Sequence, residues 1–282
     1  MLPTLTPQQR AAAYGLVGGV PLYLSWWDQE LSFTDNLREL VCTPGGRLLT
    51  ETDLILKSDL DVGQSAQPVL NAIATGKTTH SEIKDAVRFE PSRTLDRLIE
   101  LQLINRVQPV GQDRTTRRSY RISEPFLAFQ LGHVARFRGE IERGLGDGIT
   151  AVLAETFNDH MGPVWEECFR DHLRLRVATN RLSFPAPVVG IGPWWDGNGA
   201  NELDAVVLTG RSRTAALVGE AKWGQIEDGR RLVERLRRKV QDGLHLDPDS
   251  VKYAVCARAE IVHTPADALT VTAMDIFSSE ES

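Results

Sequence analysis

Residues 202–223, ELDAVVLTGRSRTAALVGEAKW, decide the fold. Two apolar runs, Ala205–Leu208 and Ala215–Val218, flank the turn-forming stretch TGRSRT at 209–214. Continuous apolar runs bounded by turn residues read as neighbouring strands of a sheet covered on both faces. Positions two apart on a strand share a face, so Glu202 falls with Asp204 and Glu220 with Lys222. Leu203 and Ala221 point the other way. Three carboxylates and a lysine can then converge on one sheet edge. The plainer alternative is an exposed ion pair on a solvated strand, which contributes little. The apolar neighbours weigh against it, because charged groups at the ends of buried strands usually have a partner or a task.

Chemistry gives this mixture a purpose. The spacing Asp204-x(15)-Glu220-x-Lys222 is the PD-(D/E)xK pattern of metal-dependent nucleases. Carboxylates supply hard oxygen ligands for Mg²⁺ or Mn²⁺. Such an ion lowers the pKa of a bound water and neutralises developing charge. A lysine beside it can orient that water or meet the charge of the pentavalent phosphate. As bare spacing the pattern is weak; its strength comes from the two strands that carry it and the basic helix that follows.

Working outward, the C-terminal part predicts an α/β fold with a mixed sheet. An aromatic-rich helix covers 124–145, a loop 146–150, and a second helix 151–177 with a break at Gly162-Pro163. Pro185-Ala186-Pro187 and 190–193 read as loops or edges. Residues 226–243 read as a basic helix, and VKYAVCARA and LTVTAMDIF read as strands. Trp194-Trp195 reads as a core cap beside a proline turn, with base stacking as the alternative.

Residues 62–122 follow another pattern. PVLNAIAT (68–75), SEIKDAV (81–87, capped by Thr79-His80-Ser81) and SRTLDRLIELQLI (92–104) read as helices. NRVQPVG and RRSYRIS follow as two strands. Three helices and a ribbon in this order predict a winged helix-turn-helix, which sets its third helix in the major groove and its wing along phosphates. Arg93 and Arg97 lie one turn apart on that helix, and Arg114, Arg117, Arg118 and Arg121 lie on the wing. A winged helix used only for packing is the alternative. ATGKT at 74–78 imitates the end of a P-loop, but Asn71 stands where the cradle needs glycine, and a helix precedes it where a strand is required.

Charge agrees with this division. Residues 1–61 carry 4 basic and 8 acidic residues, 62–122 carry 10 and 6, and 123–282 carry 18 and 24. The whole chain is at -6, so only the middle segment is a candidate for nucleic acid. Cys42, Cys168 and Cys256 are too scattered for a disulfide scaffold or a zinc ribbon, which fits a cytoplasmic location. No stretch reaches the roughly 18 to 20 apolar residues that span a bilayer. Ala11–Trp27 is interrupted by Gly18-Gly19 and Pro21 and is followed by no cleavage site, so it is not read as a signal peptide.

These stretches together resemble the C-terminal portion of the archaeal-type ATPases, which join a P-loop ATPase, a helical lid, a winged helix and a nuclease-like domain of unknown function. The matching segments are YGLVGGVPLYL (14–24), PVLNAIATGKTTHSEI (68–83), LIELQLINRV (98–107), RRSYRISEPFLAFQ (117–130), GPVWEECF (162–169), IGPWWD (191–196), NELDAVVL (201–208) and GEAKW (219–223). The resemblance implies a helical lid-like segment at 1–61, a winged helix at 62–122 and a restriction-endonuclease-like mixed sheet flanked by helices at 123–282. It implies metal ligands Asp204, Glu220 and Glu166, with Lys222 as the catalytic lysine. Helical periodicity alone allows Glu166 or Glu167 to face the sheet. Glu202 and Trp223 match family positions without a defined role.

The sequence holds no GxxxxGK[ST] motif and no Walker-B strand, so no ATP hydrolysis is expected of this chain. The expected activity is Mg²⁺- or Mn²⁺-dependent phosphodiester cleavage by a DNA-binding protein. The rival is a non-catalytic DNA-binding regulator or ATPase partner module, which the acidic C-terminal charge favours. DNA is the expected partner; a second copy of the chain or a separate ATPase domain would be further ones.

Overall fold

A computed structural model of the chain describes residues 2–58, 65–112, 118–197 and 199–278. Helix α1 (Pro7–Val17) stops at Gly18, whose φ of +70° suits a residue without Cβ. Helix α2 (Pro21–Ser25) starts at a proline, whose fixed φ suits a first turn. After it the buried Asn36 ties down the backbone with its side chain. Its Oδ1 accepts from Asp28 N at 2.9 Å, and its Nδ2 donates to Asp28 O at 2.8 Å and Ser32 O at 3.1 Å. Ser32 caps α3 (Phe33–Leu37), and α4 (Arg47–Ser58) follows.

Helices α5 (Ala66–Ala74), α6 (His80–Val87) and α7 (Ser92–Glu100) precede the antiparallel ribbon of β1 (Ile104–Val107) and β2 (Ser119–Ile122). A capping box between Thr79 and Glu82 opens α6. Helix α7 ends sooner than predicted, where Gln102 turns with a φ of +58°. Val69, Leu70, Ile83, Leu95, Leu98, Ile104 and Tyr120 share one core. The predicted helix over 124–145 divides into α8 (Pro125–Phe129) and α9 (Arg138–Glu142), joined through a π turn and a 3₁₀ turn.

The predicted loop at 146–150 is instead the start of α10 (Gly146–Ala178), which also runs on through Gly162-Pro163. Gly146 is present for close approach, since a Cβ there would collide with the Cys42 carbonyl. Contacts divide the chain into two compact units. One comprises Met1–Leu5, Gln9–Val107 and Arg118–His160; the other comprises Thr6–Gln8, Gln108–Arg117 and Met161–Ser282. Residues 123–160, read from sequence with the sheet, thus group with the N-terminal helices.

The second unit holds a five-stranded mixed sheet of order β3-β4-β5-β7-β9. Strands β3 (Val188–Trp195), β4 (Glu202–Thr209) and β5 (Thr214–Lys222) run antiparallel. The predicted helix over 226–243 begins later: Ile226–Asp228 is a short strand, β6, and Asp228 caps α11 (Gly229–Lys239) with its side chain. The chain then returns as β7 (Lys252–Ala257), parallel to β5. Strand β8 (Glu260–Val262) pairs with β6, and β9 (Leu269–Val271) closes the sheet beside β7. The last predicted strand is only partly strand: a capping box of Thr272 and Asp275 turns Ala273–Phe277 into helix α12.

Helix α11 and the turn after it cover one face of the sheet, with Leu232, Val233, Leu236 and Val240 clustered with Val206, Val218 and Val255. The end of α10 covers the other, where Phe169 meets Gly219. The segment 190–193, read as a loop or an edge, is the edge strand β3. Its exposed backbone is partly covered: Val110 N donates to Pro193 O at 2.8 Å, and Gln112 Nε2 to Trp195 O at 3.1 Å. Gly190 and Gly192 admit Val110 at that edge, since Cβ atoms there would lie 3.1 and 3.2 Å from its side chain. Trp194 and Trp195 are buried, as the core reading expects. No helix among the described residues is long and apolar enough to cross a membrane.

A Cβ on Gly219 would lie 2.8 Å from the Phe169 ring. Gly219→Ala is expected to lower stability by about 1–3 kcal/mol through overpacking. Urea unfolding measures it, and adding Phe169→Leu should restore part of the loss.

Candidate functional site

Strand pairing builds the site. Ala205 opposes Gly219 and Val206 opposes Val218, so the same register carries Asp204 toward Glu220. Asp204 Oδ2 accepts from Ala221 N at 2.8 Å. Lys222 Nζ lies 3.0 Å from Glu220 Oε1 and 4.0 Å from Asp204 Oδ2. The structure therefore brings together Asp204, Glu220 and Lys222, as the alternation of faces predicts. Glu202, at the other end of that reading, is exposed opposite Trp195.

Helix α10 decides between the two glutamates the sequence left open. Glu167 turns to the arginines, with Oε2 at 2.8 Å from Arg170 Nη2 and Oε1 at 2.8 Å from Arg174 Nη1. Glu166 faces the strands closely enough for its charge to act on Asp204 and Lys222. Arg170 is 1% exposed and supports the site from beneath, donating from Nη1 to the Asp204 carbonyl at 2.6 Å. Its spacing four residues after Glu166 was readable in the sequence; its burial was not.

The carboxylates differ in character. Burial and the neighbouring Glu166 charge push Asp204 up to about 6, against the Ala221 hydrogen bond and Lys222. Burial would also raise Glu220, but Lys239 and Lys222 outweigh it and hold Glu220 below the ordinary range. Burial would lower Lys222, but Asp204 and Glu220 together keep its ammonium above its usual value. Glu220 is 2% exposed and has both oxygens engaged, Oε1 by Lys222 and by Arg235 Nη1 at 3.1 Å, Oε2 by Lys239 Nζ at 2.8 Å. The basic helix was visible in sequence, and the i, i+4 spacing of Arg235 and Lys239 places both on one face. Their convergence on Glu220 was missed, because it requires the packing of α11 on the sheet.

No group of three or more His, Cys, Asp or Glu able to hold a metal ion forms among the described residues. Mg²⁺ retains several waters and takes one or two carboxylates; here Asp204 feels the Glu166 charge, while Glu166 also lies 3.8 Å from Arg170 Nη1. Glu220, expected among the ligands, is engaged instead as the anion of three cations. Trp223 packs edge-on to Trp165 at 5.2 Å and under the Arg258 guanidinium at 4.9 Å, which makes it a packing residue beside Lys222.

In the first unit, Arg93 and Arg97 are exposed on α7. Arg97 pairs with Glu100 at 3.0 Å, and Asp96 pairs with Arg106 at 2.7 Å, so this face carries acids beside its bases. Arg118 is exposed at the start of β2; Arg114 and Arg117 lie outside the described residues.

Residues 131–234 match DUF234, a family described as archaeal and bacterial proteins of unknown function. That match takes in Glu166, Asp204, Glu220 and Lys222. The chain is also similar to MJECL04, an uncharacterized protein of Methanocaldococcus jannaschii, at 29% identity over 219 residues. The alignment covers 76% of this chain and 48% of the relative, so the chain spans about half the length of the relative it matches. No solved structure matches the chain significantly.

The raised Asp204 has a measurable consequence. Its folded state favours the proton, so its ionisation destabilises the fold above pH 6, and the penalty disappears as pH falls toward the unfolded value near 4. Asp204→Asn keeps an oxygen for Ala221 N and removes the charge. It is expected to raise stability at pH 8 by up to about 3 kcal/mol and to leave it unchanged near pH 4. Thermal melts at the two pH values check this; a lower Tm at pH 8 would assign the carboxylate a structural role.

Proposed function

We propose that the chain is a DNA-binding protein with a PD-(D/E)xK nuclease-like sheet domain that hydrolyses phosphodiester bonds with Mg²⁺ or Mn²⁺. One observation carries the reading: an ammonium 3.0 Å from Glu220 and 4.0 Å from Asp204, with the Glu166 charge facing them, at one end of adjacent strands. The order helix, three antiparallel strands, crossover helix and parallel strand supports a restriction-endonuclease-like fold. The three helices and ribbon of the first unit support a winged helix, with Arg93, Arg97 and Arg118 exposed for phosphates. The similarity to a relative about twice as long accords with the resemblance to the C-terminal portion of archaeal-type ATPases.

Each residue then has a task. Asp204 and Glu166 would hold the cation, which supplies a Lewis acid and a bound water of lowered pKa. Lys222 meets phosphate charge or orients the water. Its raised pKa keeps it cationic, so it acts here as an electrostatic group. Arg170 fixes the backbone of Asp204 and thereby its carboxylate.

A second reading, a non-catalytic DNA-binding regulator or ATPase partner module, is favoured by the engagement of Glu220 with three cations. Calorimetric titration with Mn²⁺ and cleavage of labelled DNA separate the two. The nuclease reading expects Mn²⁺ binding that Asp204→Ala abolishes and Lys222→Ala retains. Both variants should lose cleavage by about 10²–10³-fold. Undiminished cleavage by Asp204→Ala overturns it. DNA binding with neither Mn²⁺ affinity nor cleavage leaves only the second reading.

A further inference from the structure

The pairing around Glu220 is unbalanced. One carboxylate, 2% exposed, is met by Lys222, Arg235 and Lys239, whose side chains are 39%, 42% and 22% exposed. With Asp204 4.0 Å from Lys222, three positive charges meet two negative ones, which leaves an excess of one. Glu166 also acts on Lys222 at longer range, but it lies 3.8 Å from Arg170 Nη1, and the ion pairs of Arg235 and Lys239 run to Glu220. An ammonium has three donors and a guanidinium five, whereas Glu220 accepts one short contact from each group. The three cations hold the buried carboxylate in place, and the charge they carry beyond the two carboxylates is left for a further anion. Their exposure, compared with that of the carboxylate, turns the spare donors toward solvent.

The missing charge is that of a phosphodiester. We propose that Lys222, Arg235 and Lys239 form a cradle for one backbone phosphate of a nucleic acid, with Glu220 as the built-in counter-ion that holds the cradle together before the phosphate arrives. Helix α11 supplies two of the cations from consecutive turns of one face, and β5 supplies the third. Guanidinium and ammonium groups suit this anion, the first through paired donors and the second as a point charge. The proposal deepens the nuclease reading, because the phosphate so held lies beside Asp204. Phosphate capture itself needs no metal, which lets the two be tested apart.

The test is fluorescence anisotropy of a short labelled DNA duplex with the full chain in EDTA, over a series of salt concentrations. Arg235→Gln and Lys239→Gln are each expected to weaken binding several-fold and to reduce the salt slope by about one phosphate contact. Glu220→Gln, which removes the counter-ion and keeps the shape, is expected to tighten binding several-fold. Circular dichroism melts establish that the variants fold; if Glu220→Gln does not, the two cation variants decide. Unchanged affinity and slope in both cation variants overturn the cradle, whether or not the protein cleaves DNA with Mn²⁺. Weakened binding in EDTA without any metal-dependent cleavage sustains the cradle and overturns the nuclease reading instead.

Discussion

A carboxylate almost without access to water ends the middle strand of the sheet, and three cations hold it there. Removing an ion from water costs several kcal/mol even after relaxation, so Glu220 is tolerable only with its partners in place. That condition ties β5 to α11, because two of the partners come from the helix. It also fixes the position of Lys222 two residues on. Asp204 is drawn into the same group by its hydrogen bond to Ala221, and α10 reaches it through Arg170. The charged end of the sheet is thus a joint between layers as well as a candidate site.

The apolar part of the sheet allows this arrangement. Leu232, Val233 and Leu236 seat α11 on Val206, Val218 and Val255, and the seating sets Arg235 and Lys239 over the strand end. On the other face, Gly219 lets Phe169 approach, which positions the turn of α10 that bears Glu166 and Arg170. Hydrophobic burial provides the free energy, and the charged residues fix what the end of the sheet presents. Asp204 is held at a disadvantage, pushed up to about 6 by burial and by Glu166. Groups so perturbed cluster at functional sites and occur in structural ion-pair networks as well.

Much of this was legible in the chain. The apolar runs at 205–208 and 215–218 gave two paired strands, and alternation along them set Asp204, Glu220 and Lys222 on a common side. Thr79, read as part of the cap of SEIKDAV, announced a helix start through local hydrogen bonds. Such signals are readable because they depend on a few consecutive residues. The segments that misled were those whose local signal is overridden from afar. Gly146-Asp-Gly reads as a loop, yet it opens a helix at a place where Cys42 leaves space only for hydrogen. Pro163 reads as a break within α10, yet the helix continues.

The sequence by itself determined the strands, the alternation of their faces and the charged residues at their ends, because these follow from backbone geometry and side-chain type. Tertiary structure alone decided that Glu166 rather than Glu167 faces Asp204, that Arg170 is buried beneath it, and that Arg235 and Lys239 close on Glu220. Those outcomes depend on how two helices rotate about their axes as they pack on the sheet. That rotation is set by the fit of many apolar side chains distant in sequence, and no short motif encodes it.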